Sequence, residues 1–133
     1  MPLVRISLLR GRTPEFRRKV GGAIHRALVE AFGVPEKDRF QIITEHAPGE
    51  LTYDPDYLGI ERTPGIIVVQ ITVSAGRTLE QKRRLYRLIA EHLQREAGVR
   101  PGDAWVNLLE VAKENWSFGE GVASYAPAET ATA

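Results

Sequence analysis

At 133 residues the chain has room for one ordinary domain. With 43% hydrophobic and 26% charged residues it sits near globular averages, which excludes wholesale disorder, and a formal net charge of +1 argues against a dedicated nucleic-acid binder. Zero cysteines exclude disulfides, thiolate metal sites, iron–sulfur clusters and a cysteine nucleophile; no apolar run approaches the ~20 residues that span a bilayer, and no secretory h-region opens the chain, so a cytoplasmic protein without a membrane partner is expected. In chain order, Leu3 to Leu9 alternates Val4, Ile6 and Leu8 with Arg5 and Ser7, the period of a half-buried strand. Thr13 is a candidate N-cap, and Pro14 stands where the first helical residue tolerates proline. Phe16, Val20, Ile24, Ala27, Leu28 and Ala31 follow helical spacing, and Gly33 supplies a stop. Phe40 to Glu45 reads as a short strand. Residues 47 to 65 contain Pro48-Gly49, Asp54-Pro55 and Pro64-Gly65, which predict turns or a short hairpin. Ile66 to Val73 is nearly all apolar or β-branched, as a strand with apolar side chains on both faces would be. Thr78 with Gln81 spells a capping box, Leu85, Leu88, Ile89 and Leu93 form the second helical stripe, and Ala104 to Val111 closes as the last strand.

The chain is internally doubled. Gly11-Arg12-Thr13 recurs as Gly76-Arg77-Thr78, sixty-five residues on, and the same offset relates Ile6 to Ile71, Ile24 to Ile89, Leu28 to Leu93, Gly33-Val34 to Gly98-Val99 and Asp38 to Asp103. The expectation is therefore an α/β fold of duplicated β-α-β units over residues 2–46 and 66–111, with parallel strand pairs within each unit. Together they make one four-stranded sheet with both helices on one face. A single domain over residues 1–125 is followed by a small, polar stretch, 126–133, expected to fray. The sheet face away from the helices, with Leu3, Leu9, Trp105 and Leu109, predicts self-association.

Most signatures of chemistry are missing: no G-x-S-x-G elbow, no Walker loop, no dinucleotide G-x-G-x-x-G. His25, His46 and His92 lack metal-ligand spacing, so no metal is expected. His25 and His92 read as surface or boundary helix residues, while His46, after a strand and beside Glu45, is a weak candidate for a pocket. The basic runs Arg17-Arg18-Lys19 and Lys82-Arg83-Arg84 read as solvated helix faces. Tyr53 and Tyr57 could line a pocket or simply serve their turns. What stands out is Met1-Pro2. Removal of the initiator methionine is favoured before a small residue and would turn the Pro2 nitrogen from a tertiary amide into a secondary amine. Such an amine can act as general base, general acid or nucleophile. Its protonation state would follow its surroundings: burial and cations lower the pKa of an amine, whereas a carboxylate raises it.

A doubled β-α-β chain that opens Met-Pro and carries Gly-Arg-Thr before its second helix resembles the tautomerase superfamily, with its tautomerase/MIF-like fold. The stretch Ala31-Phe32-Gly33-Val34-Pro35-Glu36-Lys37-Asp38-Arg39-Phe40-Gln41, the pair Glu45-His46 and Trp116-Ser117-Phe118-Gly119-Glu120-Gly121 resemble the malonate semialdehyde decarboxylase-like, oxalocrotonate tautomerase-like branch. The likeness runs from Pro2 to about Tyr125. It implies a homotrimer whose sheets face a central axis and an active site around an amino-terminal Pro2. By the same resemblance Arg77 would bind a substrate carboxylate, Asp38 would be a catalytic partner, and Trp116 and Phe118 would form an aromatic wall; Ser74, in the Arg77 loop, and His46, after its strand, are further candidates for substrate contact. One departure stands against the decarboxylase: Ser74 or Ala75 occupies the place where its second loop arginine is expected. The resemblance thus implies a cofactor-independent tautomerase of a small 2-oxo acid, such as a phenylpyruvate-like enol, with Pro2 as general base. The alternatives are a decarboxylase or hydratase of the 3-oxo acid malonate semialdehyde with protonated Pro2, and a non-catalytic trimeric binding protein.

Overall fold

The computed structural model describes residues 1–127; the tail expected to fray over 126–133 lies mostly outside the described residues. Strand β1 (Pro2–Leu9) leads into helix α1 (Pro14–Phe32), strand β2 (Gln41–His46), strand β3 (Ile67–Ser74), helix α2 (Leu79–Ala97) and strand β4 (Ala104–Val111). The sheet order is β2-β1-β3-β4. The outer pairs β1–β2 and β3–β4 are parallel, and the central β1–β3 pair is antiparallel, with Pro2 opposite Val73 and Leu8 opposite Ile67. Each helix thus carries the chain from one strand of a parallel pair to the next, as a β-α-β crossover must.

The duplication extends to backbone angles. Thr13 (φ −79°, ψ 158°) and Thr78 (φ −76°, ψ 163°) cap the two helices, each accepting a bond from the backbone N–H three residues on. The capping box of Thr78 and Gln81 is formed, and Gly33 and Gly98 close the helices in the left-handed conformation at φ 68° and 67°. One face of the sheet packs on both helices: Val4, Ile6 and Leu8 with Val69, Ile71 and Val73 meet Ile24, Leu28, Leu85, Ile89 and Leu93, all at most 1% exposed. Each such side chain stabilises the fold by roughly 1.5–3 kcal/mol relative to exposure, which fixes the register of every strand.

Of the turns or short hairpin expected between the units, the structure has the turns: Glu50 N–H bonds the Ala47 carbonyl, Ile66 N–H the Thr63 carbonyl, and a 3₁₀ turn spans Tyr57–Gly59, with only an isolated bridge between Pro48 and Leu51. The structure corrects two expectations. β3 is not apolar on both faces. Its outward side chains are Val68, Gln70 and Thr72, and Gln70 continues a cross-strand row with Arg5 and Asn107; the β-branched run looked apolar because Thr and Val suit strands alike. His92 is not a surface residue but 4% exposed, its ring between Glu30 Oε2 at 3.2 Å and Arg95 at 2.5 Å.

Candidate active site

The register decides where the site lies. Because β1 runs antiparallel to β3 and β3 parallel to β4, the first residue of β1 meets the last residues of both: Pro2 lies opposite Val73, and Ser74 opposite Val111. Everything that follows β3 and β4 therefore converges on the start of the chain. Pro2 is buried, and Met1 projects into a cleft of two adjoining depressions of about 340 and 480 Å³ that share Met1, Arg77 and Tyr125.

Arg77 arrives through the turn after β3. Gly76 sits at φ 123°, a conformation that side chains rarely adopt, so the turn can reverse tightly and deliver Arg77 to the N-terminus of α2. Its Nη1 donates to the Ser74 carbonyl at 3.0 Å, and the guanidinium lies 5.0 Å from the centre of the Phe32 ring. These contacts leave further N–H donors for an anion, which would also offset the unfavourable placing of a cation at a helix N-terminus. Asp38 comes from the loop after α1, where its N–H bonds the Pro35 carbonyl at 3.0 Å and His25 Nε2 meets the Glu36 carbonyl at 2.8 Å. Its side chain is only 9% exposed and lies 3.8 Å from the Met1 amine. Asp38 Oδ1 has no hydrogen-bond partner among the described residues. Burial pushes this carboxyl up from its ordinary value, against the amine and His25, which pull it down.

The aromatic wall comes from the loop after β4. The Trp116 indole donates to the buried Ser74 hydroxyl at 3.0 Å, Phe118 lies 5.6 Å from Trp116, and Tyr125 stands edge-on to Phe118 at 5.2 Å. The loop is closed by Ser124, whose N–H reaches the Trp116 carbonyl and whose hydroxyl accepts from the Phe118 N–H. Around the Met1 amine, burial is the largest influence and lowers its pKa; Asp38 opposes this, while Arg77 and Lys113 add to it. The Tyr125 hydroxyl is raised by burial and by Asp38.

Of the residues named from sequence, the structure brings Pro2, Asp38, Arg77, Ser74, Trp116 and Phe118 together. His46 is the exception. It pairs with Leu9 at the far end of β1, roughly 23 Å from Pro2 at ~3.3 Å per residue, and its ring bonds Thr44. A candidate chosen for following a strand followed the wrong end of it. Tyr53 and Tyr57 line a separate depression of about 280 Å³ with Trp105, on the sheet face away from the helices. Lys113, Tyr125 and Gln81 line the cleft and were not named as site residues from sequence. The signal for Lys113 lay in the register, since the residue just past a strand parallel to β3 must land beside Pro2. Among the described residues no cluster of histidine and carboxylate ligands could hold a metal, and no helix is long and apolar enough to cross a membrane.

A doubled β-α-β sheet with a buried Pro2 at the mouth of a cationic, aromatic-walled cleft defines a small α/β protein with a candidate active site at the start of its chain. The comparisons agree. Two family models, each described as tautomerase enzyme, match residues 38–119 and 2–60, and the chain belongs to this family. It is 42% identical to "Probable tautomerase YusQ" of Bacillus subtilis (strain 168), over 91% of this chain and 95% of that protein. Among solved structures it is similar to malonate semialdehyde decarboxylase (36% identity, 92% of this chain and 94% of that one, TM-score 0.87). It is equally similar in fold to the FG41 malonate semialdehyde decarboxylase inhibited by 3-bromopropiolate (40% identity, 92% and 93%, TM-score 0.87). The chain is thus an enzyme, an isomerase or related lyase, and this sets aside the non-catalytic binding protein.

Proposed function

We propose that this enzyme interconverts the keto and enol forms of a small 2-oxo acid, using the amine that Pro2 acquires when Met1 is removed. The observation that carries the reading is geometric: buried Pro2 opens β1 at the mouth of a cleft lined by Arg77 and walled by Trp116 and Phe118. At the Met1 amine, one residue before, burial, Arg77 and Lys113 favour the neutral form and Asp38 opposes them, and the same groups surround Pro2. A neutral amine accepts a proton, which suits a general base working near neutral pH. In the proposed reaction Pro2 takes the proton of the enol hydroxyl and returns one to the neighbouring carbon. Arg77 grips the substrate carboxylate, Trp116 and Phe118 limit water, and Asp38 orients the substrate or a water. The amine performs the transfer itself, so the scheme calls for no cofactor. In ketonisation of phenylenolpyruvate, Pro2→Ala should lower kcat/KM by at least about a hundredfold; an unchanged rate refutes the mechanism.

A second reading has its own support. The two decarboxylase structures are 36–40% identical to this chain, and Asp38 stands 3.8 Å from the Met1 amine, where its charge favours ammonium. A protonated Pro2 would polarise the carbonyl of a 3-oxo acid such as malonate semialdehyde. The pH dependence of Pro2 alkylation separates the two: a midpoint below neutrality supports the tautomerase, and one well above it the decarboxylase.

The proposal includes a homotrimer, which rests on the family resemblance and on the uncovered sheet face, where Trp105 is 45% and Leu109 59% exposed in the single chain. Sedimentation should give a mass about three times 14.8 kDa; an active monomer contradicts it.

A further inference from the structure

Two cations face the amine position from different elements, and the scheme above uses one. Arg77 is partly committed, with one N–H on the Ser74 carbonyl and its plane against Phe32. What remains free suits one planar carboxylate. Lys113 lines the same depression from a different element, the 3₁₀ turn Lys113–Asn115 just after β4. Its Nζ lies 6.0 Å from the centre of the Tyr125 ring, and none of the ion pairs among the described residues includes it. By contrast Lys82, on the first turn of α2, is held by Glu110 at 2.5 Å. A compact ammonium on a flexible stem suits a single oxygen that gathers charge better than a planar carboxylate.

We propose that Lys113 is a catalytic residue that hydrogen-bonds the C2 oxygen of the bound 2-oxo acid while Arg77 holds its carboxylate. This rests on the tautomerase reading and divides its electrostatic work between two side chains. In the enol-to-keto direction, Pro2 nitrogen takes the hydroxyl proton and the O–H bonding pair remains on oxygen. That pair then forms the C2=O π bond, and the former C=C pair accepts at C3 the proton that Pro2 carries. Lys113 transfers no proton. Its N–H bond strengthens while the oxygen is anionic, between the two transfers, as an oxyanion donor's does.

Lys113 is exposed, so its variants should fold. In ketonisation of phenylenolpyruvate, Lys113→Gln should lower kcat about a hundredfold with KM changed less than about threefold. Lys113→Arg should restore at least about tenfold of that loss by keeping a cationic donor. Arg77→Ala should chiefly raise KM. A Lys113→Gln enzyme with kcat within about threefold of the parent, or with a rise in KM alone, overturns the proposal while leaving the tautomerase reading intact. Should Pro2→Ala instead retain the full rate, that reading fails separately. Lys113 is then judged on alkylation of the processed chain by 2-oxo-3-pentynoate, whose addition also builds charge on the C2 oxygen. Lys113→Gln should slow the maximal alkylation rate about tenfold and move its pH midpoint upward, because a cation that disfavours ammonium is gone. Unchanged alkylation in rate and midpoint overturns it.

Discussion

The doubled chain contains its own control for the role proposed for Arg77. Arg12 is its repeat partner, set by the same Gly-Arg-Thr turn before a helix, yet it lies 4.4 Å above the Phe16 ring and far from the Pro2 cleft. In the proposed site, Arg77→Ala removes two charge-assisted bonds to the substrate carboxylate. Such bonds contribute ~1.5–3 kcal/mol each, and the low half of that range is appropriate for an open cleft. A loss of about 3–4 kcal/mol corresponds to roughly 10²–10³-fold in kcat/KM, at 1.4 kcal/mol per tenfold. Arg12→Ala removes an exposed cation–π contact of ~0.5–1 kcal/mol. It should lower the thermal midpoint by a few degrees and leave kcat/KM within about threefold. Steady-state ketonisation of phenylenolpyruvate, with circular dichroism melts of both variants, supplies the comparison. Equal losses of activity in the two variants would refute the argument, because they would mean that the arginines act through their common turn.

Three further outcomes are expected. Asp38 is raised above its ordinary value by burial, so its protonated form favours folding below the unfolded pKa, and that contribution fades as pH climbs through the folded one. Asp38→Asn should therefore stabilise the chain by about 1–2 kcal/mol at pH 7, with little gain near pH 4, while lowering kcat; a melt showing the larger gain at acid pH contradicts this. Ser74→Ala strands the Trp116 indole N–H and should cost about 1–2 kcal/mol, red-shift tryptophan emission and raise KM; an unmoved spectrum with unchanged KM speaks against the Trp116–Ser74 anchor. Leu109→Asp, on the sheet face away from the helices, should reduce both sedimenting mass and activity, and full activity in a monomer would separate assembly from function.

Much of this architecture was legible because local signals repeat. Thr13-Pro14, Thr78 with Gln81, Gly33 and Gly98 punctuate the helices chemically, and the structure starts and stops both helices there. Strand ends were less certain by a residue, since nothing but pairing ends a strand. The errors have two causes. The burial of His92 and the remoteness of His46 depend on what packs beside a residue, which periodicity along one element does not record. Gln70 and Thr72, on the outward side of β3, do stand in its period-two alternation and were masked by the β-branched run. Lys113 and Tyr125 escaped for the first of these reasons. Each follows β4 in the chain, and only the sequence of parallel and antiparallel pairings carries them to Pro2.

The two copies also differ at the ends of the sheet in a way that fits the proposed site. In the second copy, the chain enters β3 through Gly65, so no amine can exist there, and an added Cβ at Gly65 would stand 3.2 Å from Arg12 Nη2 and 3.3 Å from Asp103 Oδ2. Asp103 accepts from the Thr63 N–H at 2.7 Å and the Thr63 hydroxyl at 2.6 Å, and it is 2% exposed. Its carboxylate is fully employed in holding the strand entry. Asp38, at the equivalent position, has an oxygen without a partner among the described residues, which costs about 1–3 kcal/mol. A buried polar atom left unsatisfied is rare in folded proteins and calls for an explanation. Duplication fits the role proposed above: with the second unit's strand entry held by Asp103, the first unit's Asp38 keeps one oxygen for the substrate or water of the proposed reaction.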